Sequence, residues 1–96
     1  MTKRNFWLIS AKLLTHKYML ILFQKEECAF CARVRHFMTA NEISFLSVSS
    51  PKGSPSRRIL SQLGGKDQVP YLVDIDAGVA MYESEKIMDY LEENFC

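Results

Sequence analysis

Leu20-Ile21-Leu22-Phe23-Gln24-Lys25-Glu26-Glu27-Cys28-Ala29-Phe30-Cys31 is the stretch on which the fold turns. Its first four residues are apolar and partly β-branched, and they give way at Gln24 to polar ones. This is the pattern of a buried strand leaving a core. Beyond it Phe30, Val34, Phe37 and Met38 recur at i, i+4, i+7 and i+8, the apolar face of a helix from about Cys28 to about Thr39. A strand thus feeds a helix, and two cysteines open that helix.

The placement of the cysteines has a chemical meaning. The thiolate is the nucleophile in disulfide exchange, and free N–H groups with the helix dipole stabilise negative charge at a helix N-terminus. Cys28 stands at that end. Cys31, one turn on, lies on the same side and can attack a mixed disulfide formed on Cys28. Lys25 adds a cation three residues before the nucleophile, partly offset by Glu26 and Glu27. Two other readings of the pair stand beside this one: half of a four-ligand zinc site, or two inert buried thiols. His16, His36 and Cys96 are scattered and form no second close pair, and polar residues precede Cys28. Redox chemistry is therefore preferred, with no metal site expected.

Working outward, Ile43 to Val48 predicts a second strand, and Ser49 to Pro55, with Pro51 and Gly53, predicts a loop. Ser54 can cap a helix with Pro55 at its first position, carrying Ile59, Leu60 and Leu63 inward and stopping at Gly64-Gly65. Tyr71-Leu72-Val73 and Val79-Ala80-Met81 flank a turn in which Gly78 can take a positive φ. Ser84 can cap a last helix whose apolar face is Ile87, Tyr90, Leu91 and Phe95. The order β-α-β-α-β-β-α gives a parallel pair followed by an antiparallel hairpin and helix. The class is α/β with a four-stranded mixed sheet flanked by helices.

Two further places carry more than one reading. Pro70, just before an apolar strand, can mark only a strand start, or its bond to Val69 can be cis and turn the Val69 backbone toward Cys28. Glu83-Ser84 can be only a helix cap, or a carboxylate site built on a helix N-terminus.

The chain of 96 residues fits one domain, and its 24% charged and 48% hydrophobic residues are those of an ordinary globular protein. The net charge of +1 is unevenly spread. Residues 1–25 hold Lys3, Arg4, Lys12, Lys17 and Lys25 and no acid, while the other 71 residues set seven bases against eleven acids. An acidic body argues against nucleic acid as a partner. Phe6 to Leu14 is too short for a membrane span and is broken by Lys12. Three cysteines, two of them adjacent in a motif, suit a reducing compartment and hence the cytoplasm. Residues 1–18 form an N-terminal extension to a domain of residues 19–96. Phe6, Ile9 and Leu13 give the extension a helix-like stripe that suits a membrane surface, a partner or this domain's own sheet, and a disordered end or an upstream start codon are further readings.

From about Met19 to Phe95 the chain resembles glutaredoxins and, more closely, the glutaredoxin-like N-terminal domain of glutathione S-transferases. The resemblance rests on three stretches: Phe23 to Cys31, Gly64-Gly65-Lys66-Asp67-Gln68-Val69-Pro70-Tyr71-Leu72, and Met81-Tyr82-Glu83-Ser84-Glu85-Lys86-Ile87. It implies a thioredoxin-like fold and a cis bond at Pro70, with the Val69 backbone pairing the cysteinyl part of glutathione. It also implies that Glu83 and Ser84 hold the γ-glutamyl end, that Lys25 meets the glycine carboxylate, and that Phe30 lies at the same site. The activity implied is glutathione-dependent thiol–disulfide exchange, with Cys28 as nucleophile and Cys31 as resolving thiol. Glutathione would be a co-substrate with nothing tightly bound, the partners disulfide-bonded or glutathionylated proteins, and the protein a monomer. Two features depart from the glutaredoxin pattern: Ala29 replaces a proline, and Glu83-Ser84 is the transferase form of the clamp. They leave room for a glutathione-ligated iron–sulfur cluster held through Cys28 in a dimer, or for a transferase-like glutathione-binding module.

Overall fold

A computed structural model describes residues 19–96, so the extension 1–18 and its expected helix lie outside the described residues. Strands β1 (Leu20–Gln24), β2 (Leu46–Ser49), β3 (Tyr71–Asp74) and β4 (Val79–Tyr82) form one sheet in the order β2-β1-β3-β4. The pair β1–β2 is parallel, while β1–β3 and β3–β4 are antiparallel. Helix α1 (Ala29–Ala40) joins the parallel pair, α2 (Pro55–Gly64) leads into β3, and α3 (Ser84–Phe95) follows β4. The element order is the one expected, and the fold is thioredoxin-like.

Strand alternation divides the core in two. Leu20, Leu22 and Leu72 pack with Val34 and Met38 of α1 and Ile87 and Leu91 of α3. Phe23 and Tyr71, one residue out of phase, pack instead with Leu60 of α2 and Tyr82. Two helices therefore cover one face of the sheet and α2 the other.

Four local expectations are corrected. The second strand begins at Leu46 rather than Ile43, because Ile43 belongs to the stop of α1. Its N–H bonds the Met38 carbonyl at 2.8 Å and that of Glu42 bonds Thr39 at 3.2 Å, with Glu42 at φ 54°, a Schellman closure that drives Ile43 into the core. Phe30, expected on the apolar face of α1, is 60% exposed, and Cys31 takes the inward place. On α2, Ile59 and Leu63 point outward, and Arg57 is buried beside Leu60. The buried positions are Arg57 and Leu60, and Gly64 lies against Tyr82, where a Cβ would run into the ring. Arg57 is admitted because Nε donates to the Ser50 carbonyl and Nη1 to Asp67, each at 3.1 Å. Finally, Ser84 is the first residue of α3 and not its cap, which is Glu83 with no side-chain cap bond.

The remaining helix signals act as read. The Ser54 hydroxyl accepts from the Arg57 N–H at 3.2 Å, Pro55 opens α2, and Gly65 closes it in the left-handed region. Gly78 takes φ 68° in the β3–β4 turn.

Candidate functional site

The site is assembled by strand register. Phe23 pairs with Tyr71, and Tyr71 with Tyr82, so one row crosses β1, β3 and β4 at one end of the sheet. Their rings pack along that row, with centroids 6.0 Å apart for Phe23–Tyr71 and 4.4 Å for Tyr71–Tyr82. Phe23 leads within a few residues to Lys25 and Cys28, Tyr71 is preceded by Val69-Pro70, and Tyr82 is followed by Glu83-Ser84. Segments distant in sequence thus leave the sheet side by side. An exposed ion pair between Arg33 of α1 and Glu85 of α3, at 3.1 Å, links the starts of the two helices.

Cys28 is the N-cap of α1, and its sulfur accepts the Cys31 N–H at 3.2 Å. The sulfur takes the place usually held by a Ser or Asp oxygen, satisfying one of the helix's free N–H groups. Both cysteines are free, Cys28 half-buried and Cys31 buried. Burial and then the hydrogen bond with Cys28 push the Cys31 thiol from 9.0 up to about 12, against weaker lowering by the Lys25 backbone and the Arg35 charge. Cys31 is therefore a thiol at neutral pH.

The turn before Cys28 is held by side chains outside the Cys28–Cys31 motif. The Lys25 carbonyl accepts the Cys28 N–H at 3.3 Å. Arg35 of α1 donates to the Lys25 and Glu26 carbonyls, both at 3.4 Å, and to the buried Gln24 amide. Gln24 in turn donates to Ser47 of β2 at 2.8 Å. A polar residue ending a buried strand, with an arginine at i+4 from Cys31, was the available signal.

The other two limbs are also fixed. The Val69-Pro70 bond is cis, Pro70 is fully buried, and Val69 is half-buried. The Tyr82 hydroxyl lies 2.7 Å from the Lys66 carbonyl and 3.0 Å from that of Leu60, and it accepts the Lys66 N–H at 3.0 Å. The residue before Glu83 thus holds the loop that leads to Val69. Glu83 takes φ 73° and pairs its carboxylate with Lys86 at 3.2 Å, while Ser84 is buried. With no side chain capping α3, its first turn keeps N–H groups suited to an anion.

A cavity of about 280 Å³ lies between α2 and the following loop, lined by Gly53, Arg57, Arg58, Ser61, Gln62 and Asp67. None of the residues around Cys28 lines it, and its Arg57 is committed to Asp67 and Ser50. Among the described residues no three His, Cys, Asp or Glu side chains converge as a metal-binding group, and no helix is long and apolar enough to cross a membrane.

Comparison with solved structures returns the same architecture. Rice GST1 in complex with glutathione superposes with a TM-score of 0.69 at 23% identity, over 84% of this chain and 35% of that one. The trimeric glutathione transferase TDR1 of Leishmania gives 0.65 at 26% identity, over 78% and 16%. A buckwheat glutaredoxin–glutathione complex gives 0.65 at 19% identity, over 97% and 87%. The chain thus spans about a third or less of the length of these two transferases but most of that of the glutaredoxin. No curated protein gives a significant sequence match. The family model for the glutathione S-transferase N-terminal domain matches residues 22–96, and the chain belongs to that family.

Proposed function

We propose that this protein is a glutathione-dependent thiol–disulfide oxidoreductase acting through Cys28. The observation that carries the reading is the Phe23–Tyr71–Tyr82 row, which gathers a helix-capping cysteine, the Val69-Pro70 backbone and the uncapped start of α3 at one end of the sheet. Glutathione has a thiol, a peptide backbone and a free α-amino acid end, and the three limbs offer a partner for each. The Cys28 thiolate attacks the glutathione sulfur of a protein mixed disulfide, forming Cys28–S–S–glutathione and expelling the protein thiolate, which takes a proton from water. A second glutathione thiolate then attacks that sulfur, forming oxidised glutathione and freeing Cys28. The burial of Cys31 and its thiol form favour glutathione over Cys31 in the second step. Lys25, Phe30, Val69, Pro70, Glu83 and Ser84 bind the tripeptide, in a domain of residues 19–96 that works as a monomer in the cytoplasm on glutathionylated or disulfide-bonded proteins.

The direct test is turnover of a glutathione mixed disulfide coupled to glutathione reductase. Activity is expected, and it should vanish in Cys28→Ser; persistence in that variant sinks the assignment. A second reading, a glutathione-binding module of transferase type, is favoured by the family match and by Glu83-Ser84. It predicts glutathione binding by calorimetry with no mixed-disulfide turnover.

A further inference from the structure

Arg35 lies on α1 one turn beyond Cys31, and its guanidinium reaches back to the turn that carries Cys28. Nη1 donates to Gln24 Oε1 at 2.5 Å and to the Lys25 carbonyl at 3.4 Å. Nη2 donates to the Glu26 carbonyl at 3.4 Å and pairs with the Glu26 carboxylate at 3.6 Å. The side chain is only 20% exposed. A solvated surface arginine would not meet oxygens of three successive residues at once. The planar fork of a guanidinium can serve several fixed acceptors together, which a lysine cannot.

The clamped segment is the one that matters for the cysteines. The Lys25 carbonyl that accepts from Arg35 also accepts the Cys28 N–H, and the Cys28 sulfur in turn accepts the Cys31 N–H at 3.2 Å. The Lys25 carbonyl is thus one hydrogen bond from Cys28 and two from Cys31, and Arg35 holds it from α1 while Gln24 ties the turn to Ser47 of β2.

We propose that Arg35 is a positioning residue for thiol exchange: by clamping Gln24 to Glu26 it fixes the Lys25 carbonyl that holds the Cys28 N–H and so places the Cys28 sulfur for attack. The turnover part of this proposal rests on the oxidoreductase reading. The reactivity of Cys28 toward an alkylating agent does not.

The experiment uses the full chain with Arg35→Met and Arg35→Lys. The iodoacetamide labelling rate of each cysteine at pH 7 is followed by peptide mass spectrometry, together with kcat and KM for glutathione. Arg35→Met should slow labelling of Cys28 and lower kcat by about tenfold, within what misplacing a reacting group costs, with KM changed less than about twofold. Cys31 should stay protected. Arg35→Lys, which keeps the charge but loses the fork, should fall between Arg35→Met and the native chain, and it decides the matter alone if Arg35→Met does not fold. Unchanged Cys28 labelling in the folded variants overturns the proposal. Fast labelling of Cys31 overturns it too, since it marks a loosened core and a purely structural role. If the native chain turns over no mixed disulfide, the oxidoreductase reading fails while the labelling result still decides the role of Arg35.

Discussion

The backbone N–H of Cys31 donates to the sulfur of Cys28 at 3.2 Å, joining a buried thiol residue to one that reaches solvent. The two cysteines are chemically unequal, although they look alike in the motif. Cys28 presents its sulfur at the open end of a helix, and Cys31 keeps its proton because burial opposes the thiolate.

This inequality predicts an order of reaction. Iodoacetamide at pH 7 should modify Cys28 first and leave Cys31 unlabelled in the folded chain, as read by peptide mass spectrometry. In the coupled turnover assay, Cys28→Ser should lose at least about a hundredfold, as expected for removal of a covalent nucleophile, and Cys31→Ser far less. Equal losses would make Cys31 the resolving thiol.

Tyr82→Phe removes one hydroxyl while leaving the ring packed against Tyr71. The Lys66 N–H and the carbonyls of Leu60 and Lys66 lose their partner. Leaving such groups unsatisfied should cost about 1–3 kcal/mol, measured as a lower urea midpoint with an unchanged slope.

Gly64→Ala would ordinarily strengthen a helix, but here the added methyl meets the Tyr82 ring. Overpacking should prevail, with a net loss of about 1–3 kcal/mol by thermal unfolding. In a Tyr82→Leu background the same substitution should cost much less, and the double-mutant cycle measures the difference.

Alkaline pH should weaken the fold. Burial and then hydrogen bonding to Cys28 raise the Cys31 thiol from 9.0 to about 12, and burial, then Asp74, raises the Tyr90 phenol from 10.0 to about 12. Burial also raises Tyr71. Well below pH 9 these groups are protonated in both folded and unfolded chains, so their contribution to stability is fully present. Above it the unfolded chain ionises first, and stability is lost progressively up to about pH 12. Urea midpoints measured between pH 8 and pH 11 should fall, and Cys31→Ser should remove the earliest part of the decline. A flat profile would contradict the burial of these groups.

Most of the architecture was legible because it follows from local pattern. A four-residue apolar run, the helical spacing of Val34 and Met38, the Ser54-Pro55 start and the Gly65 stop each act over a few residues. What was not legible depends on partners far along the chain. The outward turn of Ile59 and Leu63 follows from Tyr82 pressing against Gly64, and the burial of Arg57 from oxygens at Ser50 and Asp67. Ile43 looks like strand in sequence because a Schellman stop without glycine, using Glu42, leaves no mark in composition. At the candidate site, the helix-start position pointed to Cys28 and the family resemblance to Val69-Pro70 and Glu83-Ser84. Their adjacency needed strand register, and the clamp through Arg35 and Gln24 needed side-chain geometry.

The Tyr82 hydroxyl bond to Lys66 gives the candidate site a property that no single residue in it has. Because the residue before Glu83 is fastened to the loop that leads to Val69, two limbs separated by more than a dozen residues behave as one rigid frame. A ligand spanning both has little conformational entropy left to remove, since that loss was incurred when the chain folded.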